Sequence, residues 1–302
     1  MTVVAAIDVG TNSTRLLIAG DEGTAERRTR TTRLGRGVDE TGRLSAEGIA
    51  ATVEALAEYR SVIDGLGVDR VRVTATSAAR DAANGDEFLD VAGAAVGVRP
   101  ELLSGEEEGR LAFAGATAGL PSHHGPYLVV DIGGGSTEFI LGDAEGIEGV
   151  WSADVGSVRL TERYIEHDPP RPEELVACLS VTKAHLDDVE REIPGAKAAP
   201  IVVGVAGTIT TVAAVELGLA EYDRDAIHHF VLQKDAVEEV FRTLATEPLA
   251  DRVHNPGLPG ARADIIVAGG AILAAVMRWV DAEEMLVSEF DILDGLAADL
   301  RA

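Results

Sequence analysis

The sequence of 302 residues contains a single cysteine, Cys178. One cysteine excludes an intramolecular disulfide bond and argues against a metal site built from cysteines. We interpret Cys178 as a small buried residue of a predicted helix. Long apolar runs are also missing, since no window approaches the roughly 18 uninterrupted apolar residues of a membrane span. The first residues lack the basic start of a secretory signal, so we expect a cytoplasmic protein with no membrane partner.

Positive charge is scarce as well, because 26 lysines and arginines face 51 acidic residues and give a formal net charge of −25. The overall electrostatic field of such a chain would repel nucleic acid, so we do not expect it to bind nucleic acid in this way. Only three of the basic residues are lysines. Arginine suits two-point contacts with phosphate, although a bias in base composition would produce the same preference. A polyanionic ligand must therefore be held locally, by aligned N–H groups, a few arginines and a metal ion.

The most informative stretch is Leu128–Glu138, with the sequence LVVDIGGGSTE. An apolar strand ends in an acid, and three glycines, two hydroxyl residues and a second acid follow it. Consecutive glycines let the backbone bring its N–H groups close to an anion. The acids can hold a divalent cation that phosphates also bind. The alternative interpretation is a hairpin with a glycine-rich turn.

The same pattern occurs earlier in the chain. The segment Asp8–Thr14 (DVGTNST) matches Asp131–Thr137 (DIGGGST), and Asp131 lies 123 residues after Asp8. A repeat of this size predicts two similar lobes. Strands and helices alternate, which favours the α/β class. We expect an N-terminal lobe over residues 1–124 and a C-terminal lobe over 125–302, with the last helix packing back on the first lobe.

Several other segments allow two interpretations. Arg27–Arg36 is predicted to be a basic strand, which is either a solvated edge strand or a track for a polyanion. The acids Glu106–Glu108 open a predicted helix, where negative charge suits the helix dipole. Gly207 and Thr208 precede a helix whose N-terminus could hold an anion. The pair His123-His124 has no second cluster at ligand spacing and is interpreted as loop histidines. A short strand is predicted near Val98.

These motifs together resemble the exopolyphosphatase/guanosine pentaphosphate phosphatase family of the actin–hexokinase–Hsp70-like superfamily. The resemblance covers essentially the whole chain, and the motifs occur in the family's order. The segments that carry it are Asp8–Ser13, Ala75–Arg80, Ser104–Glu108, Asp131–Glu138, Gly204–Thr208 and Arg262–Asp264.

The resemblance implies two ribonuclease-H-like lobes around an interdomain cleft, and hydrolysis of a terminal phosphoanhydride with a divalent metal, usually Mg²⁺. In the family's Ser-Gly-x-Glu-Glu pattern the second glutamate is the proposed base, which is Glu108 here. Arg80 is the candidate for neutralising phosphate charge. Asp131, with Asp8 and Glu138, is expected to hold Mg²⁺ directly or through waters. The residues expected to bind successive phosphates are Thr11, Asn12, Ser13, Gly133, Gly134, Gly135, Ser136, Thr137, Gly207 and Thr208.

The leading hypothesis is an exopolyphosphatase that releases orthophosphate from the ends of inorganic polyphosphate. The alternative within the family is removal of the 5′ γ-phosphate of guanosine pentaphosphate. More remote alternatives are a small-molecule kinase of the same superfamily and a non-catalytic sensor of polyphosphate or nucleotides. A kinase would not need a base at Glu108. A homodimer is expected on family grounds. Long family members carry extra helical domains that do not fit within 302 residues. We therefore expect this protein to bind long polyphosphate chains more weakly.

Overall fold

The computed structural model describes residues 2–20, 23–121 and 125–302. The pair His123-His124 lies outside the described residues. The described part divides into two compact units, one formed by Met1–Gly115 and Asp291–Ala302 and the other by Ala116–Phe290. Within the described ranges, no helix has both the length and the apolar character needed to cross a membrane.

The first unit contains a five-stranded sheet and five helices that precede residue 117. Their bounds are β1 (Val4–Val9), β2 (Ser13–Gly20), β3 (Gly23–Thr31), α1 (Val38–Thr41), α2 (Ala46–Leu66), β4 (Arg70–Ala75), α3 (Ser77–Asp81), α4 (Gly85–Val96), β5 (Glu101–Leu102) and α5 (Gly105–Ala116). The strand order is β3-β2-β1-β4-β5. Strands β1, β2 and β3 pair antiparallel, whereas β4 pairs parallel with both β1 and β5.

The second unit contains a six-stranded sheet. Its elements are β6 (Tyr127–Ile132), β7 (Thr137–Gly142), β8 (Ile147–Ala153), α6 (Ser157–Tyr164), α7 (Pro172–Glu192), β9 (Ile201–Val205), α8 (Ala206–Glu216), α9 (Arg224–Ile227), β10 (Val231–Gln233), α10 (Lys234–Thr246), α11 (Leu249–Arg252), α12 (Ile266–Trp279) and β11 (Glu284–Val287). The strand order is β8-β7-β6-β9-β11, with β10 added antiparallel at the end. The first five strands repeat the order and directions of the first sheet.

The chain returns to the first unit in the last helix, α13 (Ile292–Arg301). Alternate residues of β1 serve two cores: Val4 and Ala6 face a cluster that includes α13, while Ala5 and Ile7 face the cluster of α2 and α4. This alternation is the period of two that a strand buried on both faces requires. Gly295 allows α13 to approach α5, since a Cβ there would lie 2.1 Å from the carbonyl oxygen of Leu111.

Two strand predictions need correction. Strand β3 ends at Thr31 rather than Arg36, because the next residues leave the sheet and bond to the loop after β1. Strand β3 is an edge strand of its sheet. The strand predicted near Val98 lies at Glu101–Leu102 instead. Gly97 ends α4 with φ 84°, and Pro100, which lacks an N–H, precedes the strand.

Candidate active site

Each unit carries a tight loop where its first two strands meet. In the first unit the N–H of Gly10 donates to the carbonyl of Ser13 at 3.0 Å. In the second unit the N–H of Gly133 donates to the carbonyl of Ser136, also at 3.0 Å. The repeated sequence DVGTNST and DIGGGST therefore folds into the same backbone turn twice.

The first loop is held by the segment that follows β3. The carbonyl of Asn12 accepts the N–H groups of Thr32 and Arg33, both at 3.0 Å, and the carbonyl of Thr11 accepts that of Gly35 at 2.8 Å. A Cβ on Gly35 would lie 2.3 Å from Cγ2 of Thr11. Only glycine therefore permits this close approach. The side chain of Thr11 is also fixed, because its hydroxyl lies 2.8 Å from that of Ser77.

The second loop is held by the N-terminus of α6. The carbonyl of Gly133 accepts the N–H of Ser157 at 3.0 Å, and that of Gly134 accepts the N–H of Val158 at 2.8 Å. A Cβ on Gly156 would lie 2.4 Å from the carbonyl oxygen of Gly134. Helix α6 therefore uses its first N–H groups, which lack partners inside the helix, to fix this loop.

The carbonyls of both loops bond inside their own unit, whereas several amides do not. Among the described residues, the N–H groups of Thr11, Asn12, Gly134 and Gly135 have no hydrogen-bond acceptor. Successive backbone N–H groups in a turn form a concave site suited to an anion. Each loop therefore presents N–H donors of the kind that an anion accepts.

An acid occupies the last position but one of the strand before each loop. Asp8 lies there in β1 and Asp131 in β6, with exposed fractions of 3% and 8%. The two positions differ in their cross-strand neighbour, which is Arg15 for Asp8 and Glu138 for Asp131. Glu138 is buried and accepts a hydrogen bond from the hydroxyl of Ser152 at 2.7 Å. The first loop therefore has a cation where the second has a further acid.

The guanidinium of Arg15 contacts one oxygen of Asp8. Its Nη2 and Nε lie 2.7 and 3.3 Å from Oδ2, while Oδ1 is buried and accepts no hydrogen bond from the described residues. Arg15 is also salt-bridged to Asp291. Burial raises the pKa of Asp8, and the charge of Arg15 opposes that rise. Burial also opposes ionisation of Asp291, but Arg15 and Arg27 outweigh it, so its pKa is lowered.

The three neighbouring glutamates at the start of α5 have three different environments. Glu106 is exposed and pairs with Arg110 at 2.8 Å. Glu107 forms a capping box, since its carboxylate accepts the N–H and hydroxyl of Ser104, and these bonds lower its pKa. The side chain of Glu108 is only 14% exposed, and its carboxylate lies 3.4 Å from Nη1 of Arg80.

The position of Arg80 is fixed by the backbone before α5. Its Nη1 donates to the carbonyl of Leu103 at 2.8 Å, as well as approaching Glu108. The structure thus brings together Arg80 and Glu108, two residues that lie 28 positions apart in the sequence. A partly buried carboxylate can accept a proton as a general base, and a guanidinium beside it can contact phosphate. The pair Glu108 and Arg80 has this arrangement.

The turn from β9 into α8 carries the third glycine motif. Ala206 has a left-handed backbone with φ 67°. A Cβ on Gly207 would lie 1.8 Å from Nη2 of Arg262, so glycine lets this guanidinium lie against the first turn of α8. Thr208 is 2% exposed. The second unit therefore places an arginine beside a helix N-terminus that also contains a predicted phosphate ligand.

The acids at the loops fit a hard divalent cation. Asp8 and Asp131 offer only oxygen ligands, and Oδ1 of Asp8 is a buried carboxylate oxygen without a hydrogen bond from the described residues. Another group of possible ligands in the described part of the chain is Glu166, His167 and Glu174. There the oxygens of Glu174 already accept backbone N–H groups before and at the start of α7, which gives this group a structural role.

Two charged residues of the site, Arg15 and Asp291, were not predicted from the sequence. The spacing of Asp291 and Asp294 matches the capping box that begins α13, and this signal was readable as a helix start. The pairing of Asp291 with Arg15, 276 residues away, had no sequence signal.

The two sheets share the strand order of the ribonuclease-H-like fold, and each carries a glycine-rich turn beside an acid. The protein is therefore a two-lobed α/β protein of this class. A sequence model of the Ppx/GppA phosphatase family matches residues 18–300. The chain belongs to the Ppx/GppA phosphatase family, a family of hydrolases, which confirms the resemblance inferred from the motifs.

Individual relatives agree with this assignment. The chain is 40% identical to exopolyphosphatase 2 of Mycobacterium tuberculosis, in a match that covers 99% of both proteins. The crystal structure of a Ppx/GppA family member from Aquifex aeolicus is 34% identical, with a TM-score of 0.82 and coverage of 99% of this chain and 98% of that one. An exopolyphosphatase structure from Cytophaga hutchinsonii is 25% identical, with a TM-score of 0.90 and coverage of 99% and 97%.

Proposed function

We propose that this protein is an exopolyphosphatase, which hydrolyses the terminal phosphoanhydride bond of inorganic polyphosphate and releases orthophosphate. The observation that carries the proposal is the 40% identity to an exopolyphosphatase over 99% of both proteins. The paired glycine turns support it, because a polyanion bound by a chain of net charge −25 needs local N–H donors.

Phosphate is held by backbone and hydroxyl groups in this proposal. The first loop (Thr11, Asn12 and Ser13) and the second loop (Gly133–Thr137) bind phosphate oxygens. Their donors include the N–H groups of Thr11, Asn12, Gly134 and Gly135, which have no acceptor among the described residues. Gly207 and Thr208 add the N-terminus of α8. The hydroxyl of Thr137 donates to the carbonyl of Val155 at 2.6 Å, and this bond fixes the end of the second loop.

Glu108 acts as the general base. Phosphoryl transfer mainly requires positioning and charge neutralisation, and water must attack in line with the leaving oxygen. Glu108 orients that water and takes its proton. Arg80 neutralises charge on the equatorial oxygens of the phosphate under attack. Its contact with the Leu103 carbonyl keeps the guanidinium in place.

Asp131 and Asp8 would hold Mg²⁺, and Glu138 is a further catalytic acid beside Asp131. When bound, Mg²⁺ would neutralise phosphate charge and orient the leaving group. The proposal also includes a cytoplasmic location, which is expected from the sequence, and a homodimer, which is expected on family grounds.

The substrate is tested by measuring phosphate release from polyphosphates of several lengths, guanosine pentaphosphate, ATP and ADP, with and without Mg²⁺. We expect polyphosphate to give the highest kcat/KM and release to require the metal. A higher kcat/KM for guanosine pentaphosphate would replace the proposal with the nucleotide activity. Absence of release from every substrate, with binding of polyphosphate retained, would favour a sensor.

The base is tested with Glu108→Gln, which should lower phosphate release by at least about 10²-fold and leave polyphosphate binding largely intact. Glu106→Gln is the matched control, because Glu106 lies on the same helix turn but is exposed and pairs with Arg110. Near-normal turnover of the Glu108 variant, or equal losses in both variants, would remove Glu108 from this role.

A further inference from the structure

Helix α13 begins at a carboxylate that has two partners. Oδ1 of Asp291 accepts the N–H of Leu293 at 3.0 Å and caps the helix. Oδ2 of Asp291 is salt-bridged to Nη1 of Arg15. The other side of this guanidinium contacts Oδ2 of Asp8 at 2.7 Å. One guanidinium is thus shared by two carboxylates that are 3% and 6% exposed.

The charges of these three groups do not cancel. Two carboxylates and one guanidinium leave an excess negative charge, and Oδ1 of Asp8 is buried without a hydrogen bond from the described residues. A buried charged oxygen is costly unless a donor or cation satisfies it. The excess charge and the unsatisfied oxygen therefore both favour a cation at Asp8.

We propose that Asp291 is a positioning residue for the metal site. By sharing the charge of Arg15, Asp291 leaves Asp8 with negative charge available to a divalent cation at Oδ1. Without the charge of Asp291, Asp8 alone would neutralise Arg15, and the attraction of Asp8 for a cation would fall. This inference rests on the proposed role of Asp8 in holding Mg²⁺.

Asp294 provides a matched control on the same helix turn. It completes the capping box by accepting the N–H of Asp291 at 3.0 Å, but its ion pair is with Arg27 instead of Arg15. Asn at either position removes one charge and can retain a capping oxygen. A purely structural role predicts similar effects of the two substitutions.

The experiment measures Mn²⁺ binding to the full chain, stripped of metal and without substrate, by electron paramagnetic resonance at fixed salt. Asp291→Asn should raise the Kd for Mn²⁺ by about 5- to 10-fold, the effect of removing one nearby charge. Asp294→Asn should change it by less than about 2-fold, since Asp294 pairs with Arg27 and not with the guanidinium that contacts Asp8. The thermal midpoints of both variants are measured in parallel. Asp291→Ser keeps a good capping oxygen and should raise the Kd for Mn²⁺ by a similar factor. If the Asn variant does not fold, the Kd of the Ser variant tests the role of Asp291.

Asp8→Asn separates failure of the inference from failure of the proposed function. If Asp8→Asn binds Mn²⁺ like the unsubstituted protein, Asp8 is not a metal ligand and both proposals on this site are wrong. If Asp8→Asn loses binding but the Asp291 variants match Asp294→Asn, only the inference about Asp291 is wrong. Loss in the Asp8 and Asp291 variants together supports it.

Discussion

Alanine at position 156 should displace the second phosphate loop. The added methyl group would lie 2.4 Å from the carbonyl oxygen of Gly134, 2.5 Å from its carbonyl carbon and 2.6 Å from that of Gly135. All three are backbone atoms, so no flexible side chain can move aside. The φ of Gly156 is −152°, which any residue adopts. The whole effect therefore arises from the contact, and the loop must move by about 1 Å to restore van der Waals separation.

The magnitude follows from the position of the contact. Overpacking of this kind costs about 1–3 kcal/mol of folding free energy. A shift of about 1 Å in groups that position a substrate can cost about 10²-fold in rate. We therefore expect Gly156→Ala to lower kcat/KM for polyphosphate by about 10- to 100-fold, while the thermal midpoint falls by several degrees.

The assay compares phosphate release and thermal unfolding of Gly156→Ala and Gly65→Ala. A Cβ on Gly65 meets nothing within 4 Å, and this position lies inside α2, so alanine should stabilise the protein and leave kcat/KM unchanged. A folded Gly156→Ala variant with unaltered kcat/KM would refute the argument that the loop position matters for catalysis.

Three further predictions concern charge. Asp131→Asn should raise the Mg²⁺ concentration for half-maximal phosphate release, and an unchanged metal titration would exclude Asp131 as the anchor. Arg28 and Arg30 already pair with a carboxylate of α2. Neutralising both should therefore change kcat/KM equally for short and long polyphosphates. A larger loss of kcat/KM for long polyphosphates would establish β3 as a polyanion track. A hydrogen bond from His167 and backbone N–H groups lower the pKa of Glu174 to about 2 from 4.5, so its stabilisation is present above pH 4.5 and disappears as the pH falls through 2. The thermal midpoint should therefore fall less steeply between pH 5 and 3 in Glu174→Gln, and parallel curves would contradict this assignment.

Local patterns in the sequence were sufficient for the fold class and the glycine turns. The repeat at Asp8 and Asp131 predicts two similar sheets, because acid, glycine and hydroxyl residues after an apolar strand specify the same turn wherever they occur. The family resemblance selected Glu108 from three consecutive glutamates. Sequence alone offered no physical reason for that choice, since all three acids suit the first turn of a helix.

Tertiary structure decided how these acids differ. Glu106 pairs along its own helix, Glu107 caps it, and Glu108 is beside Arg80, because each carboxylate leaves the helix in a different direction. Interactions within a few residues were sufficient to predict the glycine turns and most strands, although β3 and β5 differ from their predicted positions. The shared contact of Arg15 with Asp8 and Asp291 depends on the fold, because burying a charge requires a partner, and here the fold brings Asp291 from a distant part of the chain.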